Sequence, residues 1–139
     1  MEQQQNTADA YEVSNPILRR MHAEADTMHA FMAAPANLDD PYSLTVRLKD
    51  MDVYMARLSE MISQAKAMKE RELNRYIAEK GDQINKLTAT VSNRLISAHL
   101  YEYTVTHARL DSMYHTLEHL TRDLVTQISY IKQQMSVGL

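Results

Sequence analysis

Hydrophobic residues recur along most of this chain at alternating intervals of three and four positions, which is the spacing of one face of an α-helix. In the first such segment the apolar positions are Leu18, Met21, Ala25, Met28 and Met32. A longer segment keeps the same alternation from Leu44 to Ala65. This pattern is typical of helices that pack lengthwise against one another. The sequence therefore predicts an all-α protein.

A few residues mark where these helices begin and end. Asn15-Pro16 combines a capping side chain with a proline at the first helical position, where its missing N–H costs nothing. Pro35 ends the first helix, Asp39-Asp40-Pro41 repeats the start signal, and Lys80-Gly81-Asp82 is interpreted as a C-terminal cap followed by a new N-cap. The predicted helices span residues 16–33, 41–79 and 82–135.

These elements define the predicted organisation of the chain. Residues 1–14 are predicted to be a flexible tail, and residues 15–139 a single helical domain. A turn at Gly81 and a short connection over residues 34–40 favour a long antiparallel helical hairpin with a shorter N-terminal helix packed on it. The expected fold is a coiled-coil-like bundle of three helices. The apolar face of the third helix shifts over residues 103–107, which indicates either the arrival of the first helix or a kink.

His115-Thr116-Leu117-Glu118-His119 spells H-x-x-E-H, the zinc-binding pattern of the inverzincin metallopeptidases. Leu117 projects nearly opposite His115 at about 100° per residue, so the motif lies on the polar side of its helix. The family pattern also needs a glutamate well downstream, and the only acidic residue after Glu118 is Asp123. We therefore predict a solvated polar surface, with no catalytic residue, metal site or cofactor. Adventitious metal binding and a polar contact between subunits are the alternatives.

Composition excludes other chemistries. The 139 residues include no cysteine and only two glycines, so thiol chemistry and glycine-rich phosphate loops are excluded. His22, His29 and His99 show no ligand spacing and are interpreted as surface or rim residues. No stretch approaches the roughly 18 apolar residues of a membrane span, and the polar start of the chain does not resemble a secretion signal. We expect a cytoplasmic protein that is not an enzyme and has no membrane partner.

A cluster of basic residues near the end of the second helix suggests one kind of ligand. The candidate nucleic-acid contacts are Lys66, Lys69, Arg71, Arg75, Lys80 and Lys86. Glu70 and Glu72 interrupt this run, which is more typical of a solvated helix face, and the formal net charge is −3. Nucleic-acid binding is therefore the alternative function.

Self-association is the favoured mode of action. A two-helix hairpin over residues 58–105 has only one packed interface, the one between its two helices. The apolar face of the third helix also continues past the point that the second helix is expected to reach. A homo-oligomer, above all a dimer, would cover both surfaces. The predicted oligomer interface consists of Leu117, Leu120, Leu124, Ile128, Ile131 and Met135.

The segment LEHLTRDLVTQISYIKQQM, residues 117–135, resembles the C-terminal helix of small all-helical proteins from the early regions of bacteriophages and prophages. The resemblance covers at most the last quarter of the chain and carries over no functional residues. It implies a phage accessory protein that binds a host or replication component. Together with the surface pattern, it predicts a non-enzymatic, oligomeric helical protein that acts through contacts with an unidentified protein partner.

Overall fold

The computed structural model describes residues 13–37 and 39–138. All regular secondary structure in these two ranges is helical, so the prediction of an all-α protein is confirmed. The elements are α1 (Pro16–Ala33), α2 (Pro41–Ile84), α3 (Ala89–His99) and α4 (Tyr101–Val137).

The first two helices begin at the predicted capping residues. The Asn15 side chain accepts hydrogen bonds from the N–H groups of Ile17 (2.9 Å) and Leu18 (3.3 Å). Asp40 accepts one from the N–H of Tyr42 at 3.1 Å. Each cap satisfies backbone donors that the first helical turn leaves without a partner. As a result, α1 has its predicted bounds and α2 has its predicted start.

The turn predicted at Gly81 is wrong, because α2 continues through this residue to Ile84. Gly81 does not adopt a positive φ, and its carbonyl accepts a regular helical hydrogen bond from Asn85 at 2.9 Å. The chain turns over residues 85–88 instead. Thr88, rather than Asp82, caps the next helix through a 3.4 Å hydrogen bond from Val91 N–H. The predicted boundaries at 79 and 82 are therefore replaced by Ile84 and Ala89.

The helix predicted over residues 82–135 is two helices, which meet at Leu100 rather than within residues 103–107. Leu100 has φ −94° and ψ 7° and is buried. The β-branched residues that follow do not interrupt α4. The hydroxyls of Thr104 and Thr106 donate to carbonyls one turn back, at 3.1 and 2.7 Å, which satisfies both groups inside the helix.

α2 and α4 pack closely in antiparallel orientation, and α1 lies along one side of the pair. The orientation follows from two pairs of neighbours, Leu73 beside His107 and Met55 in contact with Thr121, because the position on α4 advances as the position on α2 retreats. α1 contacts both helices. The largest fully buried side chains are Leu18, Met21, Leu44, Leu58, Met61, Leu110, Leu117 and Thr106.

The start of the described chain is anchored to α4. Val13 is buried, and both the N–H and the hydroxyl of Ser14 donate to a Glu102 carboxylate oxygen at 2.8 Å. These hydrogen bonds help to lower the pKa of Glu102, although its burial acts in the opposite direction and is the largest single effect. Residues 13 and 14 therefore belong to the folded unit. The rest of the predicted tail lies outside the described residues.

Candidate interaction surfaces

Half of the predicted oligomer interface is already buried within one chain. Leu117, Leu124 and Ile128 belong to the continuous hydrophobic core together with residues of α1 and α2. They are covered because the turn at 85–88 lets the start of α2 reach further along α4 than a turn at Gly81 would. These three residues cannot form a contact with a partner while the core is intact, so this part of the prediction is wrong.

The other three predicted interface residues do not form one surface. Ile131 is half-buried against the core, Leu120 is partly exposed beside the end of α1, and Met135 is exposed in the last turns of α4. Leu120 and Met135 are about 22 Å apart along the helix at about 1.5 Å per residue. Isolated exposed apolar side chains are common on protein surfaces. Leu120 and Met135 therefore cannot belong to one compact contact.

A different segment lacks a core. Residues 69–99, which we call the arm, include the end of α2, the turn and α3, and all of them are described. No residue of the arm is buried, whereas buried residues recur throughout α1, α2 up to Met68, and α4. The large apolar side chains that are 42–46% exposed in the arm are Ile77, Leu87, Val91 and Leu95. The arm thus has no core of its own, and these apolar side chains remain open to contact.

Polar contacts join the two helices of the arm. The Glu72 carboxylate accepts hydrogen bonds from Arg75 and, at 2.7 Å, from His99. Hydrogen bonding by Arg75, followed by that from His99, lowers the pKa of Glu72 to about 2. The His99 ring stacks on Tyr76 with centroids 4.1 Å apart, and Ser92 donates to the Ile84 carbonyl at 3.0 Å. Partly exposed contacts of this kind contribute little stability compared with apolar burial.

The candidate nucleic-acid contacts do not form a basic patch. Arg75 is held between Glu72 and Glu79, whose hydrogen bonds raise its pKa, Glu72 contributing most. Over residues 70–86 the acidic and basic side chains are equal in number: Glu70, Glu72, Glu79 and Asp82 against Arg71, Arg75, Lys80 and Lys86. Lys66 and Lys69 precede this neutral segment and line a separate groove on α2.

The polar side chains of the H-x-x-E-H segment lie on the surface of α4, whereas Leu117 is buried. His115 lies 3.6 Å from Asp111, and Glu118 accepts a hydrogen bond from Arg122 at 2.9 Å. All of these are spacings of one helical turn on α4. In residues 13–37 and 39–138 no three histidine, aspartate or glutamate side chains are grouped so that they could hold a metal ion.

Sequence reasoning missed a buried polar network between α1 and α4. His22 is only 7% exposed, so its interpretation as a surface residue is wrong. Its Nε2 lies 2.8 Å from the Thr106 hydroxyl, and its Nδ1 lies 2.9 Å from an Arg109 guanidinium nitrogen. Arg109 also donates to Asp26 at 2.5 Å. The spacing of His22 from Leu18, one full helical turn, was the available signal that it faces the core.

The chemistry of this network fixes the state of the imidazole. A guanidinium can only donate, so Nδ1 of His22 must accept, and Nε2 must carry the hydrogen that it donates to Thr106. Thr106 in turn donates to the Glu102 carbonyl at 2.7 Å. Burial, followed by the charge of Arg109, lowers the pKa of His22, and Asp26 partly opposes this effect. The network is complete only when His22 is neutral.

Comparisons with known proteins provide no relative for this chain: no family model, no curated protein and no solved structure matches it. Among the described helices, none has the length and apolar character needed to span a membrane. Function must therefore be inferred from the surfaces of the chain itself.

Proposed function

We propose that this is a non-enzymatic helical protein that self-associates and acts through protein–protein contacts, and that the arm makes the self-association contact. The observation that carries the proposal is the absence of any buried residue over residues 69–99, in a chain whose remaining helices share a continuous core. Helices gain most of their stability from packing an apolar face against other elements. Beyond Leu73, which lines a groove with His107 of α4, the two helices of the arm depend largely on each other for this purpose.

The energetics favour a partner for the arm. Fully burying a large apolar side chain contributes about 1.5–3 kcal/mol, so covering the exposed part of the four arm residues would contribute roughly 2–5 kcal/mol before the costs of association. In a two-fold contact both copies contribute this gain, and the contacts around these four residues must supply the remainder that offsets an association cost of about 4–15 kcal/mol. The arm is therefore suited to an exchangeable assembly.

A second copy of the chain fits the arm electrostatically. The arm carries six basic and four acidic side chains over residues 69–99, so its charges are mixed with a formal surplus of two positive charges. A two-fold contact uses the same surface on both subunits, and a surface that carries both charge signs can pair with itself. The segment over residues 70–86, with four charges of each sign, meets this condition.

The biological setting remains the one implied by residues 117–135, an accessory protein of a bacteriophage that binds a host or replication component. Nucleic-acid binding through the basic residues of α2 is the second candidate function. It requires affinity that decreases steeply with salt, and loss of binding in the Lys69→Glu, Arg75→Glu double variant. A protein that fails to bind nucleic acid even at low salt would exclude this candidate.

The proposed function is tested by the mass of the protein in solution. Light scattering over concentrations from micromolar to millimolar should show the mass of the wild type increasing towards that of an oligomer. The double variant Val91→Glu, Leu95→Glu should have a smaller mass with its helical circular dichroism retained, because neither residue belongs to the core. The matched control is Val46→Glu, Val53→Glu, which places the same charges on exposed valines of α2 outside the arm. A monomeric wild type, or equal effects of the two double variants, would refute the role of the arm.

A further inference from the structure

A groove between α2 and α4 brings basic side chains from both helices together. Its volume is about 330 Å³, and it is lined by Lys66, Lys69, Glu70, Leu73 and His107. Lys69, Leu73 and His107 are half-buried, whereas Lys66 and Glu70 are exposed at its edge. The volume lies at the lower end of the range of small-molecule sites, about 300–1,000 Å³.

The position of the groove is set by the packing of the helices. Lys66 and Leu73 follow Arg57 and Gln64 by nine residues each, which at about 100° per residue places them on the opposite face of α2. Arg57 and Gln64 line the cleft beneath α1. The groove is therefore on the side of the α2–α4 pair that α1 does not cover. His107 reaches it because the preceding residue, Thr106, is fixed in the buried contact with α1.

The basic groups of the groove are not neutralised by the chain. Neither lysine forms an ion pair with Glu70 or with any other carboxylate of the described residues. Four of the nine arginines, by comparison, pair with an acidic side chain: Arg57, Arg75, Arg109 and Arg122. Two ammonium groups and an imidazole thus face one carboxylate across a partly enclosed space.

We propose that this groove binds a small organic anion, a carboxylate or phosphate ester carried on an apolar group. The two lysines lie about one helical turn apart and supply the positive charge for the anionic group, while His107 supplies a hydrogen-bond donor from the facing helix. Leu73, one turn beyond Lys69, provides the apolar contact. The binding of such a ligand would be a property additional to self-association.

A small ligand fits the groove better than a nucleic-acid strand. A strand extending along α2 would leave the lysines and meet the neutral segment over residues 70–86, where acidic and basic groups alternate. Its phosphates would lie beside Glu70 and Glu79 as often as beside a basic group. A single anionic group within the groove avoids this repulsion.

Phenyl phosphate is a suitable probe, with inorganic phosphate and benzyl alcohol as its separate anionic and apolar parts. In NMR titrations of the full chain, phenyl phosphate should shift the signals of Leu73 and His107 saturably. Each part alone should bind at least about tenfold more weakly, because either the apolar or the charged contact is missing. The titration is repeated on the Val91→Glu, Leu95→Glu variant so that binding is measured independently of self-association.

Matched variants separate a specific site from a general charge effect. Phenyl phosphate binding should weaken by at least about tenfold in the double variant Lys66→Gln, Lys69→Gln. The control is the double variant Lys80→Gln, Lys86→Gln, which removes the same amount of charge away from the groove and should leave binding unchanged. His107→Gln should weaken binding and leave the helical circular dichroism intact. Equal weakening by the two lysine pairs, shifts that do not localise to the groove, or no saturable binding would each overturn the proposal.

Discussion

Acidification should loosen α1 from α4 by protonating His22. Arg109 donates to Nδ1 at 2.9 Å, and a protonated ring offers no acceptor there. Protonation would also place a second positive charge beside the guanidinium in a buried site. Burial and Arg109 therefore lower the pKa of His22 below its usual value of 6.5, against the smaller effect of Asp26.

The sign of the pH dependence follows from this lowered pKa. Just below pH 6.5 the unfolded chain takes up a proton at His22 and the folded chain does not, so the free energy of unfolding decreases. The contribution of the neutral network is complete above about pH 6.5 and is lost as the pH falls through the folded-state pKa. Protonation removes the hydrogen bond that Arg109 donates to Nδ1 of His22. A hydrogen bond from a charged donor contributes about 1.5–3 kcal/mol. Such a loss is a large fraction of a typical domain stability of about 5–15 kcal/mol.

Urea unfolding at pH 7.5 and at pH 5.5 measures this effect. The wild type should lose at most about 1.4 kcal/mol between the two conditions, which is the limit for one proton taken up by an unfolded chain whose His22 has a pKa of about 6.5. His22→Gln should lose clearly less, because a glutamine amide can donate to Thr106 and accept from Arg109 without titrating. His29→Gln changes an exposed histidine of the same helix and should behave like the wild type. Equal pH dependence in the wild type and His22→Gln would refute the assignment.

Three further predictions concern the helices and the arm. Gly81→Ala should stabilise the protein by about 0.5–1 kcal/mol in thermal unfolding. The reason is that Gly81 lies inside α2 without a positive φ, and an added methyl group meets no atom within 4 Å. A destabilised variant would instead support a turn at this residue. Leu117→Ala should cost about 2–5 kcal/mol in urea unfolding, since the side chain is fully buried. A change below about 0.5 kcal/mol, which is typical of a surface substitution, would contradict its place in the core. Glu72→Gln should increase amide exchange in α3, because it removes the charged acceptor that joins α2 to His99. In the wild type the Glu72 carboxyl should titrate with a pKa of about 2, so its contribution to stability persists above about pH 4.5 and is lost as the pH falls towards 2. An NMR titration midpoint near the usual value of a glutamate would contradict these hydrogen bonds.

The helix starts could be predicted from sequence because they depend on local chemistry. Asn15 and Asp40 each accept backbone hydrogen bonds within their own first turn, and the proline that follows each of them is compatible only with that position. The end of α2 could not be predicted in the same way. A glycine inside a helix costs only about 1 kcal/mol, so α2 continues for three residues beyond Gly81 and the next helix is capped by Thr88.

The error at Gly81 explains the error in the interface. A hairpin pairs residues symmetrically about its turn, so moving the turn by about five residues moves each pairing by about ten, or roughly 15 Å. With a turn at Gly81, Ile128 would face residue 34 and lie beyond the start of α2. In the structure Thr121 contacts Met55, so Ile128 lies beside the first turns of α2 and is buried. An apolar pattern identifies which face is buried, but not which element covers it.

The His22 network shows a different limit. The position of His22 within the apolar pattern of α1 indicates that it faces the core, but its partners Thr106 and Arg109 are more than 80 residues away in sequence. Their proximity depends on the packing of α1 along α4. The groove at Lys66 and His107 has the same origin, because each helix supplies only part of its lining.

Hydrogen exchange measured over a series of protein concentrations tests the role of the arm most directly. If two copies cover each other's arms, the amides of residues 69–99 should become more protected as the concentration rises and the mass by light scattering increases, while exchange in the core of α1, α2 and α4 should stay constant. Exchange in the arm that is independent of concentration, or protection that develops instead at the end of α4, would contradict the proposal that the arm is the surface of self-association.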